Sequence, residues 1–99
     1  MKHVIVSRHA AAIQFIRETA PALAEARVVE SATEADVAGQ VVYGNLPLHL
    51  AALAAEVNVI EFTGAAPRGL EYTLADMKTA GAVIRTYTVR EVAMDLRLR

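Results

Sequence analysis

The sequence predicts an α/β fold in which a mostly parallel, five-stranded sheet carries helices on both faces. Five short apolar runs rich in β-branched residues predict the strands, at His3–Ser7, Arg27–Glu30, Gln40–Gly44, Asn58–Phe62 and Ala82–Val89. The runs are apolar on both faces rather than cleanly alternating, which is typical of strands buried between two layers of helices. Helix-forming segments separate them, and this alternation predicts right-handed crossovers and a doubly wound sheet.

The segment Ala10–Glu25 predicts the first covering helix. Four apolar residues recur at spacings of three and four and so share one helical face: Ile13, Ile16, Ala20 and Leu23. Pro21 lacks an amide donor and crowds the preceding turn. We therefore expect a kink or break near Thr19, with a second short helix able to start at the proline.

Three further helices are expected between the later strands. Turn-forming residues and a final glycine limit the helix within Ser31–Gly39 to a short one. The helix over Leu46–Glu56 has Pro47 in its first turn. It places three apolar residues on one stripe: Leu50, Leu53 and Val57. Thr73-Leu74-Ala75-Asp76 resembles a capping box, with Gly81 placed to end that helix.

The tail Glu91–Arg99 is compatible with two structures. Apolar residues alternate with mostly polar positions, as in a half-buried strand: Val92, Met94, Leu96 and Leu98. Thr88 and Glu91, however, form a capping box ahead of helix-favouring residues. Strand and helix both stay open for this sixth element, which we expect to contribute to a dimer.

Composition limits the classes of protein to which the chain can belong. Its 99 residues form one domain, residues 1–99, whose small core would gain from self-association. A net charge of −1 excludes the broad cationic surface that tracks long nucleic acids, so an anionic partner must be small. The absence of cysteine excludes disulfides, thiolate nucleophiles and cysteine-ligated zinc. No apolar run reaches the roughly 18 residues of a membrane span, and the apolar N-terminus is short for a signal peptide, so we expect a cytoplasmic protein.

A ligand site is expected beyond the carboxyl ends of the strands, where open α/β sheets bind their ligands. After the first strand come Ser7, Arg8 and His9. They offer a hydroxyl, a planar five-donor guanidinium and a titratable imidazole, ahead of a helix start that favours anions. The segment therefore predicts a phosphate site. The alternative is that Ser7 merely caps the helix while Arg8 and His9 are solvated.

Other strand ends supply further candidates, each with an ordinary alternative. Gly44-Asn45-Leu46-Pro47 presents backbone at a second helix start, with Asn45 able to bind a base or ribose, although a simple turn and cap explains it equally well. His49 lies in the next first turn and is equally compatible with a plain surface position. Arg68, in the Gly64–Gly69 loop, can close over a ligand or be an ordinary solvated arginine.

Metal and cofactor chemistry has little support in the sequence. The three histidines lack the spacing of metal ligands. The carboxylates near strand ends are scattered: Glu30, Glu61 and Glu71. Neither a P-loop nor a dinucleotide-binding fingerprint is present. We therefore expect metal-independent chemistry and no cofactor.

Three ordered motifs resemble a known family. They are Val6-Ser7-Arg8-His9 with Ala12 and Phe15, then the stretch Val41–Ala52, then Arg68-Gly69-Leu70-Glu71 with Met77 and Gly81. Together they run from the first strand to the fifth, and they resemble the small type III CRISPR-associated accessory proteins with an SRH motif. Ala11 departs from that pattern, because it stands where glycine is expected.

The resemblance implies a ring nuclease, an enzyme that opens cyclic oligoadenylate, chiefly cyclic tetra-adenylate, and so switches off the antiviral response. It implies a Rossmann-like homodimer and a metal-independent attack of a ribose 2′-hydroxyl on the adjacent phosphate. Arg8 and Arg68 would bind phosphate and stabilise its charge. Ser7 would orient the phosphate, and His9 would transfer a proton or stabilise the leaving oxygen.

Under the same resemblance, the remaining candidates would complete the ligand site. These are Gly44, Asn45, Leu46, Pro47, His49 and Gly69. Two alternatives to the ring nuclease stay open. One is a buffer that binds cyclic oligoadenylate without cutting it, and the other is a nucleotide-metabolising enzyme of the same fold.

Overall fold

The five predicted strands form one sheet. The computed structural model describes residues 2–66 and 72–93. Its strands are β1 (His3–Val6), β2 (Arg27–Val29), β3 (Val41–Gly44), β4 (Glu56–Phe62) and β5 (Ala82–Tyr87). They lie in the order β2-β1-β3-β4-β5, with β1 to β4 paired in parallel and β5 antiparallel to β4. The mostly parallel five-stranded sheet predicted from the sequence is confirmed.

Helices pack on both faces of the sheet. The described residues include α1 (Ala10–Thr19), α2 (Glu34–Val37), α3 (Leu48–Ala51) and α4 (Leu74–Thr79). Successive residues of a strand point to opposite faces, so β1 enters two separate cores. Ile5 packs against Ile16 of α1, whereas Val4 and Val6 pack with Leu50 of α3 on the other face. The predicted cover of helices on both faces is also confirmed.

The helix after β1 breaks where the proline predicts. α1 ends at Thr19, and Pro21–Leu23 forms a separate 3-10 turn. Between them Ala20 has φ −126° and ψ 85°, outside the helical region. Leu23 is nonetheless buried against the Ile5 core, so the break redirects the chain without opening that face.

The helix predicted over Leu46–Glu56 is wrong in its extent. α3 covers only Leu48–Ala51, and β4 begins at Glu56, earlier than the predicted strand. Glu56 pairs with Val41 of β3, so the last residue of the predicted helix belongs to the sheet instead. Leu53 is consequently 40% exposed instead of lying on a buried stripe.

The chain after β4 follows the prediction in part. β5 ends at Tyr87, before the predicted limit at Val89. Residues 88–93 form neither helix nor strand. The helix start expected at Thr88 and Glu91 is therefore not formed, and residues 91–93 of the tail are not a strand either. Residues 94–99 lie outside the described residues.

One buried polar side chain ties three strands together. Asn58 of β4 is 4% exposed. Its Nδ2 donates to the Val42 carbonyl of β3 at 3.2 Å, and the Thr86 hydroxyl of β5 donates to its Oδ1 at 2.5 Å. A buried amide is tolerated when both of its ends have partners. Asn58 thereby fixes the antiparallel β5 against the parallel part of the sheet.

β3 approaches β1 closely at Gly44. Gly44 pairs with Val6 and has a φ of +138°, a conformation that side chains with a Cβ rarely adopt. A Cβ built on Gly44 would lie 2.1 Å from the Val6 carbonyl oxygen. That oxygen belongs to the backbone of a central strand, so it cannot move aside without disturbing the sheet. Only glycine fits at this position.

The turn before α2 is held by Asp36. Its Oδ2 accepts a hydrogen bond from the Thr33 backbone N–H at 2.8 Å, and its Oδ1 accepts one from Arg27 Nη1 at 3.0 Å. The Thr33 amide, and next to it Arg27, hold the pKa of the Asp36 carboxyl below its usual range. These contacts fix the loop between β2 and α2, which carries Glu30 and Ser31.

Replacing Gly44 with alanine is expected to destabilise the fold by about 2–4 kcal/mol, because backbone strain and steric overlap act together. Gly39→Ala is the matched control: Gly39 also has a positive φ, of +68°, but no atom lies within 4 Å of the place that its Cβ would take. That variant should lose only about 1–2 kcal/mol. Urea unfolding measures both losses, and equal losses would contradict the close approach at Gly44.

Asp36 is expected to make the free energy of unfolding depend on pH. The pKa of Asp36 is lower in the folded state than in the unfolded state. Its contribution to folding stability is therefore complete above the unfolded pKa of about 3.9 and is lost as the pH falls through the folded-state pKa. Asp36→Asn should therefore be less stable than the parent protein at pH 7, and the difference should shrink below about pH 4. Thermal unfolding across that range measures it, and a difference independent of pH would contradict the assignment.

Candidate functional site

A cleft of about 260 Å³ opens at the carboxyl ends of β1 and β3. Five of the predicted site residues line it: Ser7, Arg8, His9, Gly44 and Asn45. From β1 the chain passes to β2 on one side of the sheet and then to β3 and β4 on the other side. The cleft lies between the ends of β1 and β3, at this switch point, where open α/β sheets bind their ligands. The fold brings the first and third predicted strand ends to one site.

Ser7 organises the turn between β1 and α1. Its backbone N–H donates to the Val29 carbonyl at 3.0 Å, which extends the pairing of β1 with β2. Its hydroxyl accepts a hydrogen bond from the His9 backbone N–H at 3.1 Å. His9 is the N-cap residue of α1, and its side chain makes no capping hydrogen bond. The Ser7 hydroxyl therefore satisfies the amide of the cap residue and leaves the next amides of the helix uncapped.

The start of α1 can bind an anion. Its first backbone hydrogen bond runs from the Ile13 N–H to the His9 carbonyl. The amides of Ala10, Ala11 and Ala12 precede that bond and, as at any helix start, lack an intrahelical acceptor. The first turn carries no acidic side chain that would occupy this positive end. These three residues carry only methyl side chains, so no bulky group of their own stands between a phosphate and the amides.

Arg8 reaches from β1 toward the β2 side of the cleft. Its Nη2 donates to the Ser31 hydroxyl at 3.1 Å. Among the described residues, no carboxylate forms a salt bridge with Arg8, although Glu30 lines the same cleft. The guanidinium is exposed and keeps most of its donors available. Arg8 is therefore placed to bind an anion entering the cleft.

His9 lies toward the opposite, α4 side of the cleft. Its imidazole stacks on the Tyr72 ring, with centroids 5.4 Å apart and planes 28° from parallel. Two side chains of β4, Ile60 and Phe62, form the adjoining apolar wall. The side chains of these two consecutive residues thus lie on different sides of the cleft. Arg8 lies on a polar side and His9 on an aromatic side.

Three other predicted residues, all of them described, do not line this cleft: Leu46, Pro47 and His49. Leu46 packs against the core between the sheet and α3. Pro47 is the N-cap residue of α3. His49 lies in α3 and lines a separate groove with Val89. Arg68 and Gly69 lie outside the described residues.

Seven lining residues of the cleft are absent from the candidate site residues that the sequence suggested: Val6, Ala12, Ile16, Glu30, Ile60, Phe62 and Tyr72. Glu30 follows β2, so the rule applied to the other strand ends identifies it. Tyr72 directly precedes the capping box at Thr73, which marks it as a residue at a helix entrance. Ile60 and Phe62 have the pattern of ordinary core residues of a strand, and only the tertiary structure shows that they reach the cleft.

Metal clusters and membrane-spanning helices are both absent from the part of the chain that the structure describes. Within residues 2–66 and 72–93, no group of three or more histidine, aspartate or glutamate side chains is placed to hold a metal ion. No helix in these same ranges has the length and apolar character needed to cross a membrane.

The cleft and the sheet around it fall within a region shared with a protein family. A family model described as "Putative CRISPR-associated protein (Cas_VVA1548)" matches residues 4–90. The chain belongs to this CRISPR-associated family. No curated protein and no solved structure matches the chain.

Membership of the CRISPR-associated family confirms the CRISPR association that the three sequence motifs imply. The matched span contains every described cleft residue, from Val6 to Tyr72. It also contains Arg68 and Gly69, which belong to the third motif. The family therefore shares the segment that builds the whole cleft rather than one strand and helix.

The anion site at the start of α1 can be tested with inorganic phosphate. Addition of phosphate is expected to shift the amide NMR signals of Ala10, Ala11 and Ala12. Arg8→Gln should weaken this binding about tenfold, because a hydrogen bond to a charged group contributes about 1.5–3 kcal/mol. Lys78→Gln, which removes an exposed cation from α4, is the control and should bind like the parent. Shifts spread over the surface, or equal binding by both variants, would contradict the site.

Proposed function

We propose that the protein is a cytoplasmic ring nuclease that opens cyclic oligoadenylate, chiefly cyclic tetra-adenylate, and so ends type III CRISPR signalling. The observation that carries the proposal is the meeting of Arg8, His9 and the uncapped start of α1 at one cleft. A guanidinium and helix amides bind a phosphate, and an imidazole beside them can move a proton. Membership of a CRISPR-associated family supplies the biological setting.

The two sides of the cleft suit the two parts of a nucleotide. Ser7 and Arg8 offer a hydroxyl and a guanidinium group to a phosphate or ribose, and the Ser31 hydroxyl accepts a hydrogen bond from Arg8. Ile60 and Phe62 offer an apolar surface to a nucleobase. The volume of about 260 Å³ is below the roughly 300–1,000 Å³ of pockets that bury a whole drug-sized ligand. One cleft is therefore proposed to bind part of a cyclic tetra-adenylate, with the rest of the ring outside it.

The proposed reaction is an internal transesterification. A ribose 2′-oxygen attacks the adjacent phosphorus while the bond from phosphorus to the 5′-oxygen of the next nucleotide breaks. The proton of the 2′-hydroxyl is removed and a proton is delivered to the departing 5′-oxygen. The product is a linear oligoadenylate with a 2′,3′-cyclic phosphate and a free 5′-hydroxyl. The reaction consumes no water and is proposed to need no metal ion. The protein contributes mainly alignment of the attacking oxygen with the leaving oxygen.

Four residues of the cleft, together with Arg68, have proposed roles in this scheme. Arg8 and the amides at the start of α1 stabilise the charge that develops on the phosphate oxygens. Ser7 orients the phosphate, and His9 transfers the proton to or from a ribose oxygen. Asn45, which lines the cleft after β3, is proposed to hold ribose or base by hydrogen bonds. Arg68 is proposed to add a second guanidinium to the phosphate.

The enzyme is further proposed to act as a homodimer, because a ring with rotational symmetry is suited to two identical clefts. Four large apolar side chains of the described residues are exposed: Leu48 76%, Leu53 40%, Tyr87 43% and Val92 72%. Leu48, Ala52 and Val89 line a groove between α3 and the chain after β5. Because α3 starts just after Asn45, a second copy bound there can bring its own cleft toward the same ring.

The proposed nuclease activity is tested by incubating the protein with cyclic tetra-adenylate in EDTA and separating the products. The parent should give linear products ending in a 2′,3′-cyclic phosphate. Arg8→Ala and His9→Ala should each lower the rate of ring opening at least about tenfold, with little change in thermal stability because both side chains are exposed. Lys78→Ala is the control and should retain the parent rate.

Three results of this assay would contradict the proposal in distinct ways. Tight binding of an intact ring would indicate a buffer. Turnover of a mononucleotide or nucleoside, without binding of the ring, would indicate a metabolic enzyme. Unchanged rates in both Arg8→Ala and His9→Ala would remove the assigned residues from the reaction.

The dimer proposal is tested by sedimentation. Leu48→Glu places a charge on the exposed apolar surface and is expected to convert a dimer to a monomer, because burying an unpaired carboxylate is costly. Ala22→Glu, at an exposed position of the 3-10 turn, adds the same charge elsewhere and should remain dimeric. A monomeric parent protein, or a Leu48→Glu variant that stays dimeric, would contradict this interface.

A further inference from the structure

We propose that Tyr72 is a positioning residue that orients the His9 imidazole for proton transfer. The inference rests on the proposed ring-nuclease function, in which His9 moves a proton. It assigns a role to a cleft residue that the sequence pattern did not select. The contact between the two rings, and the way the fold anchors each of them, support this role.

The His9 ring is stacked on the Tyr72 ring, and this contact orients it. The centroids are 5.4 Å apart and the planes are 28° from parallel. The backbone of His9 is fixed by the Ser7 hydroxyl and by the first hydrogen bond of α1. Its exposed imidazole, by contrast, forms no hydrogen bond with the other described residues. Without an aromatic neighbour, an exposed side chain of this kind samples several rotamers.

Tyr72 is held by the start of α4. In the capping box that follows it, the Asp76 N–H donates to the Thr73 hydroxyl at 3.1 Å. The Thr73 N–H donates to Asp76 Oδ2 at 2.9 Å. Fully buried Met77 then anchors α4 in a cluster with Phe15 of α1, and Tyr72 packs against that cluster. The two rings of the stack are therefore attached to two helices that are themselves packed together.

The stacked geometry leaves the reactive part of the imidazole available. Tyr72 covers a face of the His9 ring, whereas both ring nitrogens lie on its edge. The stack therefore restricts the plane of the ring without occupying the atoms that exchange protons. Orientation of this kind acts on the chemical step rather than on the binding of substrate.

The stacking role requires an aromatic ring at position 72 and does not require its hydroxyl. Tyr72→Phe keeps the ring and is expected to retain the parent kcat within about twofold. Tyr72→Leu keeps an apolar side chain against the core but loses the stack. It should lower kcat about three- to tenfold, the range that an aromatic pair supports, with little change in KM. Lys78→Ala, at an exposed site of the same helix, is the control for α4.

Two measurements distinguish orientation from general damage to the fold. Ring opening of cyclic tetra-adenylate gives kcat and KM. NMR signals of the His9 ring protons in the ligand-free protein report the stack directly, because an adjacent aromatic ring shifts them. These signals should move in Tyr72→Leu and stay close to the parent in Tyr72→Phe and Lys78→Ala.

The inference is overturned if Tyr72→Leu keeps the parent kcat in an active protein, or if its loss appears in KM alone. Loss of activity in Tyr72→Phe would assign the role to the hydroxyl and overturn it as well. Failure of the proposed function has a different signature, because the parent protein itself would then leave the ring intact. Unmoved His9 signals in Tyr72→Leu would refute the stack independently of any activity.

Discussion

The close approach of β3 to β1 at Gly44 and Val6 is the constraint on which the cleft depends. Parallel pairing of these two strands aligns their carboxyl ends, so Ser7 and Asn45 emerge side by side. A side chain at Gly44 would meet the Val6 backbone and separate the strands. The floor of the cleft is therefore set by backbone packing in the centre of the sheet, before any polar group is placed.

Two consecutive residues lie on different sides of the cleft. Arg8 lies toward β2, where the Ser31 hydroxyl accepts its hydrogen bond, and His9 lies toward α4, where Tyr72 covers its ring. Their partners, Ser31 and Tyr72, each lie just before a capped helix start, where Asp36 accepts from the Thr33 N–H and Asp76 accepts from the Thr73 N–H. A cation and an imidazole can thus contact different parts of one ligand.

The short α3 has a consequence for the surface of the molecule. Because β4 starts at Glu56, within the predicted helix, α3 is limited to Leu48–Ala51. On the outer strands Tyr87 donates to Glu61 Oε2 at 2.5 Å, and this hydrogen bond raises the pKa of Tyr87. Exposed Leu48 lines the groove that also contains Val89. Leu48 is 76% exposed, so the short α3 leaves an apolar side chain at the surface.

The sequence by itself determined the α/β class, the five strands, the break at Pro21 and the helix start at Thr73, because local patterns of apolar, turn and capping residues encode these features. It also placed Ser7, Arg8, His9, Gly44 and Asn45 at strand ends. Only the tertiary structure decided the length of α3, since strand pairing with distant Val41 overrides local helix preference. It likewise brought Tyr72 to His9, because contacts between residues far apart in the chain arise from packing of whole helices on the sheet.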